Sequence, residues 1–322
     1  ADLIANEIII HGLRNVSGEF LHKLSNILDF LPTFFSEDGE SHFGLSYNRK
    51  RQALTKKVLS RVTALSNIYR IHIRMLLRSA KLNVNQIPKY DLDEFDNNPQ
   101  EIARYTRMAL GLPKGPIENL TKLLEDSGAF IIHCDFQTRL LDGLTLYIEN
   151  FPPLIFINSE IPSDRLRFTL SHELGHIVMH RTPNPNMEKQ ADEFASEFLM
   201  PAEDIRYSLG RLNFSKLGSL KLKWKVSMAA LIKRASTLKR ISSGTERYYN
   251  IQLSKKGYRM REPQELDFPK EKPSFLKELI NFHLNDLEYS ENELNELLGT
   301  VPNELKSMYL EQRPTLRLIN SN

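Results

Sequence analysis

The sequence predicts an α+β fold. It reads as a mainly helical, multi-domain chain around a core with one small sheet of three to four strands. Three observations carry this. Apolar residues recur at helical spacing over most of the 322 residues. Only Phe130 to Ile157 changes period, in the β-rich runs GAFIIHCDF, GLTLYIEN and PLIFIN, broken at Asp142-Gly143 and Pro152-Pro153. Directly after that sheet comes a helical stretch holding H-E-x-x-H, from His172 to His176.

The bulk numbers exclude several classes. The length suits two or three domains with an ample core. One cysteine, Cys134, makes an intrachain disulfide impossible and fits a reducing, cytoplasmic setting. No apolar run approaches a membrane span, so no membrane association is expected. Net charge is only +3, but it is uneven. Residues 41–90 hold eleven Lys/Arg and residues 211–240 hold nine, with no Asp or Glu in either window. Such asymmetry marks contact with a polyanion, or one part of the chain neutralising another. Residues 49–81 and 211–240 are therefore the expected DNA-contacting segments.

In chain order, residues 1–42 read as short helices. IIHGLRNVSGEFLHKLSNILDFLPTFF resembles the end of a repressor-type helix-turn-helix, so a partial or degenerate domain of that kind is expected there. Asn48 to Ala80 is expected to be one long basic helix with a stripe from Leu54 to Ile73. Its continuation to residue 98, through Pro88 and the acidic DLDEFDNN, reads as a linker. Residues 99–203 form the expected core. Two amphipathic helices, Gln100 to Leu110 and Ile117 to Asp126, precede the sheet, which is expected to be a meander. The strand Leu154 to Asn158 lies a short loop before the H-E-x-x-H helix and is expected to offer an edge to an extended peptide.

On a helix, His172 and His176 lie one turn apart on one face and can reach one metal ion. Leu170, Leu174, Ile177 and Val178 fall on the other side, Ser163 is a plausible N-cap, and Pro183 and Pro185 close the run. Two imidazoles and a carboxylate suit Zn2+, with a fourth position left to water, and Glu173 can take a proton from that water. The next helix, MEKQADEFASEFL, supplies the carboxylate. Glu188 and Asp192 share a face with Ala191 and Ala195, whereas Glu193 and Glu197 are expected to face solvent. Glu188 is thus the third expected ligand, and Asp192 is placed to orient a ligand histidine from behind. His180, about 12 Å up the helix from His172, is too far to share the metal and reads as a cap or packing residue.

HELGHIVMH followed by EKQADEFASEFLMP resembles the ImmA/IrrE family of zinc metallopeptidases. PLIFINSEIPSDRLRFTLSHELGH is similar as strand, loop and active-site helix, and the likeness runs from about Pro113 to Pro263. It is closest to the long members that begin with a Cro/repressor-like helix-turn-helix. The resemblance implies a zincin-like, gluzincin-type core with zinc on His172, His176 and Glu188. It implies cleavage of a helix-turn-helix repressor in a bacterial stress, DNA-damage or mobile-element response. Glu173 is the expected base. The donor that stabilises the developing oxyanion is left open among Arg167, Tyr147 and His180.

Beyond the core, residues 204–262 read as a basic module. LGSLKLKWKVSMAALIKRASTLKR is a helix, a tight turn and a second helix, followed by a partly extended basic coda, YYNIQLSKKGYRMREP. Residues 263–322 read as an acidic helical module for protein contact, and a homodimer is possible. The rival reading is a DNA-binding transcriptional regulator that uses the zincin fold as a sensor or scaffold. The intact Glu173 argues against it, because a scaffold needs no base there.

Overall fold

A computed structural model describes residues 18–28, 30–36, 54–80, 86–148, 150–301 and 305–310. In chain order its first elements are α1 (Gly18–Leu28), α2 (Lys56–Leu77), α3 (Pro99–Ala109), α4 (Leu120–Asp126), β1 (Phe130–Cys134), β2 (Gly143–Leu146) and β3 (Leu154–Asn158). Then come α5 (Ser163–Met179), α6 (Met187–Leu199), α7 (Ala202–Ile205), α8 (Phe214–Trp224), α9 (Met228–Thr237), α10 (Ser243–Lys255), α11 (Phe275–Asn285) and α12 (Glu291–Leu298). The fold is α+β, mainly helical with one small mixed sheet. The described residues fall into two compact units. One gathers α1, α2, α11 and α12; the other holds residues 86–273.

In the first unit, α2 is a core element rather than a solvated basic rod. Val62, Ile73 and Leu76 are buried, and so are Arg70 and His72. The helix starts at Lys56, and its exposed cations Lys56, Lys57 and Arg61 lie in the first turns. The expected stretch before it, residues 48–53, and residues 1–17 of the expected partial helix-turn-helix lie outside the described residues. His72 sits beside Phe34 and the Tyr309 hydroxyl, and burial pushes its imidazole down to about 3.

The second unit is built on the sheet. Its order is β1-β3-β2, with β1 parallel and β2 antiparallel to β3. It is therefore not a meander. The most apolar run, Leu154 to Ile157, takes the centre, where every residue of β3 is buried. Both edges of β3 are paired, so it has none left for a peptide. Among the described residues the unpaired edge nearest α5 belongs to β2. Leu166, Leu170 and Leu174 of α5 pack into the same core as Ile155 and Ile157, with Phe194 and Phe198 of α6. That burial fixes which face of α5 is left for chemistry.

The helix calculus of α6 needs one correction. Glu197 is buried, not solvated: it pairs with the Arg234 guanidinium and accepts from the Ala202 N–H at 3.0 Å. The reason is that α6 is covered on more than one side, by α5 and by α3. Ser163 does not cap α5. Its hydroxyl donates to the Phe268 carbonyl at 3.0 Å, and Pro162 stands at the N-cap. The basic coda is also more regular than expected, since Tyr248 to Lys255 belongs to α10.

A strap, residues 262–271, stitches the second unit together. Glu262 accepts from the Met228 N–H and pairs with Lys221 at 2.8 Å. Leu266 covers Gly218 on α8. Lys270 donates to the Ser159 and Ile161 carbonyls at 2.6 and 2.8 Å. Glu271 pairs with buried Arg167 of α5 and accepts from the Thr121 N–H in the first turn of α4 at 2.8 Å.

Candidate metal centre

The centre is made by two helices that approach closely. Gly175 of α5 has no side chain, and Phe194 and the Ala191 backbone of α6 fill the space that one would need. That contact carries the first turn of α6 against the histidine face of α5.

Three groups converge there. His172 Nε2 and His176 Nε2 are 3.0 Å apart. Glu188 Oε2 is 3.7 Å from the former, and Glu188 Oε1 is 3.4 Å from the latter. All three ligand atoms lie within 4.8 Å of one another. Glu188 Oε1 is buried with no hydrogen-bond partner. A buried carboxylate oxygen left unpaired is costly, and a cation between these three groups would satisfy it. The donor set, two imidazoles and a carboxylate, fits zinc.

The orienting contacts come from α6. Asp192 Oδ1 lies 2.9 Å from His172 Nδ1, which turns Nε2 toward the other two groups. Burial pulls the His172 imidazole down. The Asp192 bond and the charges of Glu173, Asp192 and Glu188 outweigh it and hold it above its ordinary value. A cation in the site would displace that proton. His176 Nδ1 meets His180 Nδ1 at 3.0 Å, and His180 Nε2 meets Gln190 Oε1 at 3.0 Å. Burial, then neighbouring His176, pushes His180 down to about 4, so it is neutral in ordinary buffers.

Glu173 is buried beside this group and points at the sheet, where the Thr145 hydroxyl of β2 donates to Glu173 Oε2 at 2.7 Å. Thr145 lies 28 positions away, and sequence reasoning did not single it out. Nor did it single out Gln190. The sole sequence signal for either was position: a hydroxyl in the strand run, and an amide two residues past Glu188.

The remaining candidates sit differently. Arg167 is on the far side of α5, in its ion pair with Glu271 and donating to the Ile117 carbonyl at 2.7 Å. It does not join the metal-facing groups. Both His180 nitrogens are engaged. Tyr147 directly follows β2, two residues after Thr145, half-buried against the core, with Lys89 Nζ 4.0 Å above its ring. A cavity of about 690 Å³ is lined by Phe168 of α5, Asp192, Glu193 and Ser196 of α6 and Ala230 of α9.

Residues 124–236 match the model of the family Peptidase_M78, described as the IrrE N-terminal-like domain. This stretch, about a third of the chain, is similar to the ImmA/IrrE family. The match begins in α4 and ends in α9, so the IrrE-like domain encloses the sheet, α5, α6 and every metal-facing side chain. The family is one of metallopeptidases, which implies a metal, typically zinc, and a protein substrate. No curated protein matches the chain. Among the described residues, no helix is long and apolar enough to cross a membrane.

Proposed function

We propose that this chain is a zinc endopeptidase that cleaves a helix-turn-helix transcriptional repressor. The observation that carries the catalytic part is the convergence of His172, His176 and Glu188, with Glu173 held beside them by Thr145. Zinc, when bound, supplies Lewis acidity toward the scissile carbonyl and toward water. The side chains do the rest. Glu173 takes the proton of the attacking water and passes it to the leaving amine. Asp192 keeps His172 turned inward. Tyr147 is the remaining candidate to donate to the developing oxyanion, since Arg167 and His180 are committed elsewhere. The free edge of β2 offers main-chain partners to an extended substrate, which fixes a peptide without demanding one sequence.

Selectivity then rests on docking away from the scissile bond, and cleavage falls in a loop or a segment that opens locally. The repressor and the bacterial stress, DNA-damage or mobile-element setting come from the family likeness, and the cytoplasmic site from the single cysteine. Co-expression with neighbouring repressor genes, with mass spectrometry of the fragments, tests the reading. Cleavage by the parent and none by Glu173→Gln supports it. An intact repressor under every condition, or equal cutting by both, removes it.

A DNA-binding regulator is the second reading. In its favour, α8, the turn at Lys225 to Ser227 and α9 have helix-turn-helix form, followed by α10. Against it, five of the nine cations of residues 211–240 have partners within the chain. Lys221 and Arg234 are buried in ion pairs, Lys216 and Lys225 donate to backbone carbonyls, and Lys233 faces Glu246. Filter binding over a salt series separates the two: a steep loss of DNA with salt, reporting many phosphates, would restore the regulator.

A further inference from the structure

We infer that His180 and Gln190 act as one positioning unit that decides which nitrogen of His176 faces the metal. This rests on the reading of His172, His176 and Glu188 as the ligand set. A relay of contacts runs inward from Gln190. Its Oε1 lies 3.0 Å from His180 Nε2. An amide oxygen only accepts, so His180 Nε2 carries the proton. A neutral imidazole donates from one nitrogen and accepts at the other. His180 Nδ1 therefore accepts, and the group 3.0 Å away, His176 Nδ1, donates to it. His176 Nε2 is left with a free lone pair, and it is this atom that lies 3.0 Å from His172 Nε2 and 3.4 Å from Glu188 Oε1.

The opposite polarity is incompatible with the site. Were the Gln190 amide nitrogen toward His180, each step would reverse, and His176 Nε2 would present a hydrogen where a ligand lone pair is needed. The two ligand histidines are thus oriented differently. Asp192, itself 60% exposed, turns His172 with a charge. His176 is turned by a neutral imidazole and amide, with His180 buried at the C-cap of α5. Both orienting acceptors, at 190 and 192, come from the helix that supplies Glu188, so α6 sets all three ligands at once.

The experiment uses the full chain and the variants His180→Ala, Gln190→Met and Gln190→Glu. Zinc affinity is measured by competition with a chromophoric chelator. Imidazole tautomers are read by nitrogen-15 NMR on metal-free protein at mildly alkaline pH. The parent is expected to show His180 protonated on Nε2 and His176 on Nδ1. His180→Ala and Gln190→Met are expected to weaken zinc binding about 10- to 100-fold, the usual effect of losing such a partner. Gln190→Glu keeps an acceptor and is expected to bind at least as tightly as the parent. Gln190→Met replaces a half-buried side chain by one of similar shape, so it reports even if His180→Ala unfolds. Zinc binding by folded His180→Ala or Gln190→Met equal to that of the parent overturns the inference. So does a parent with His176 protonated on Nε2. If the parent binds no zinc, the proposed function fails, while the tautomers still decide this point.

Discussion

Thr145 places one oxygen of Glu173, and a general base works only if its carboxylate stays where the water arrives. Thr145→Val removes the donor and keeps the shape. We expect a fall of about tenfold in kcat with zinc content unchanged, and recovery in Thr145→Ser; this is smaller than the roughly 10²- to 10⁴-fold that the base itself supplies, because Glu173 stays in place. A Thr145→Val enzyme as fast as the parent would show that Glu173 is held by other means. The ligands behave oppositely. Glu188→Ala is expected to lose the metal, and Glu173→Gln to keep about one zinc per chain while losing activity, both read by elemental analysis. Much of this was legible. His172, Glu173 and His176 lie within one helical turn, so their shared face follows from 3.6-residue geometry. Glu188 followed from its alanine-lined face. Thr145 was not legible, because a strand hydroxyl gains a role only when tertiary packing brings it to a carboxylate 28 residues on.

At the scale of elements, the metal centre depends on how near α6 can lie to α5. A Cβ on Gly175 would stand 3.0 Å from the Phe194 ring and 3.4 Å from the Ala191 backbone. Gly175→Val is expected to push α6 outward, cost about 1–3 kcal/mol of stability and carry Glu188 away from the histidines. Thermal unfolding with a zinc titration checks this. Unchanged metal affinity would mean that Glu188 reaches the histidines without that close approach. Helices and strands were readable here because period is local. Strand order was not: chain order suggested a meander, whereas burial puts the most apolar strand in the centre. Of the two readings of the uneven charge, neutralisation within the chain holds at two buried cations, and period could not show it for a related reason. Lys221 and Arg234 look free in a window with no acids, but Asp164, Glu262 and Glu197 reach them from distant segments.

Across the molecule, burial keeps His72 of the first unit and His133 of the second neutral, as it does His180. His72 is pushed down to about 3 by burial, and His133 to about 4 by burial and then by Lys270. Below the unfolded value of about 6.5 the unfolded chain takes up protons that the native chain refuses until its own lower pKa. Stability is therefore full above about pH 6.5 and falls by about 1.4 kcal/mol per pH unit for each histidine on acidification toward those values. Urea unfolding across that range should show the loss, and His72→Phe should flatten the part due to the first unit. An unaltered slope would mean that His72 is not the group responsible. The strap has a further consequence, for where the second unit can be cut. The family-model match ends at residue 236, yet buried Arg167 and Lys221 find carboxylates at Glu271 and Glu262, beyond that limit. A fragment of residues 84–236 would strand a cation beneath the active-site helix, where an orphaned buried charge costs about 3–5 kcal/mol. Expressed side by side, 84–273 should be soluble and cooperative in its unfolding and 84–236 should not, so the smallest self-sufficient unit is longer than the stretch that matches the family model.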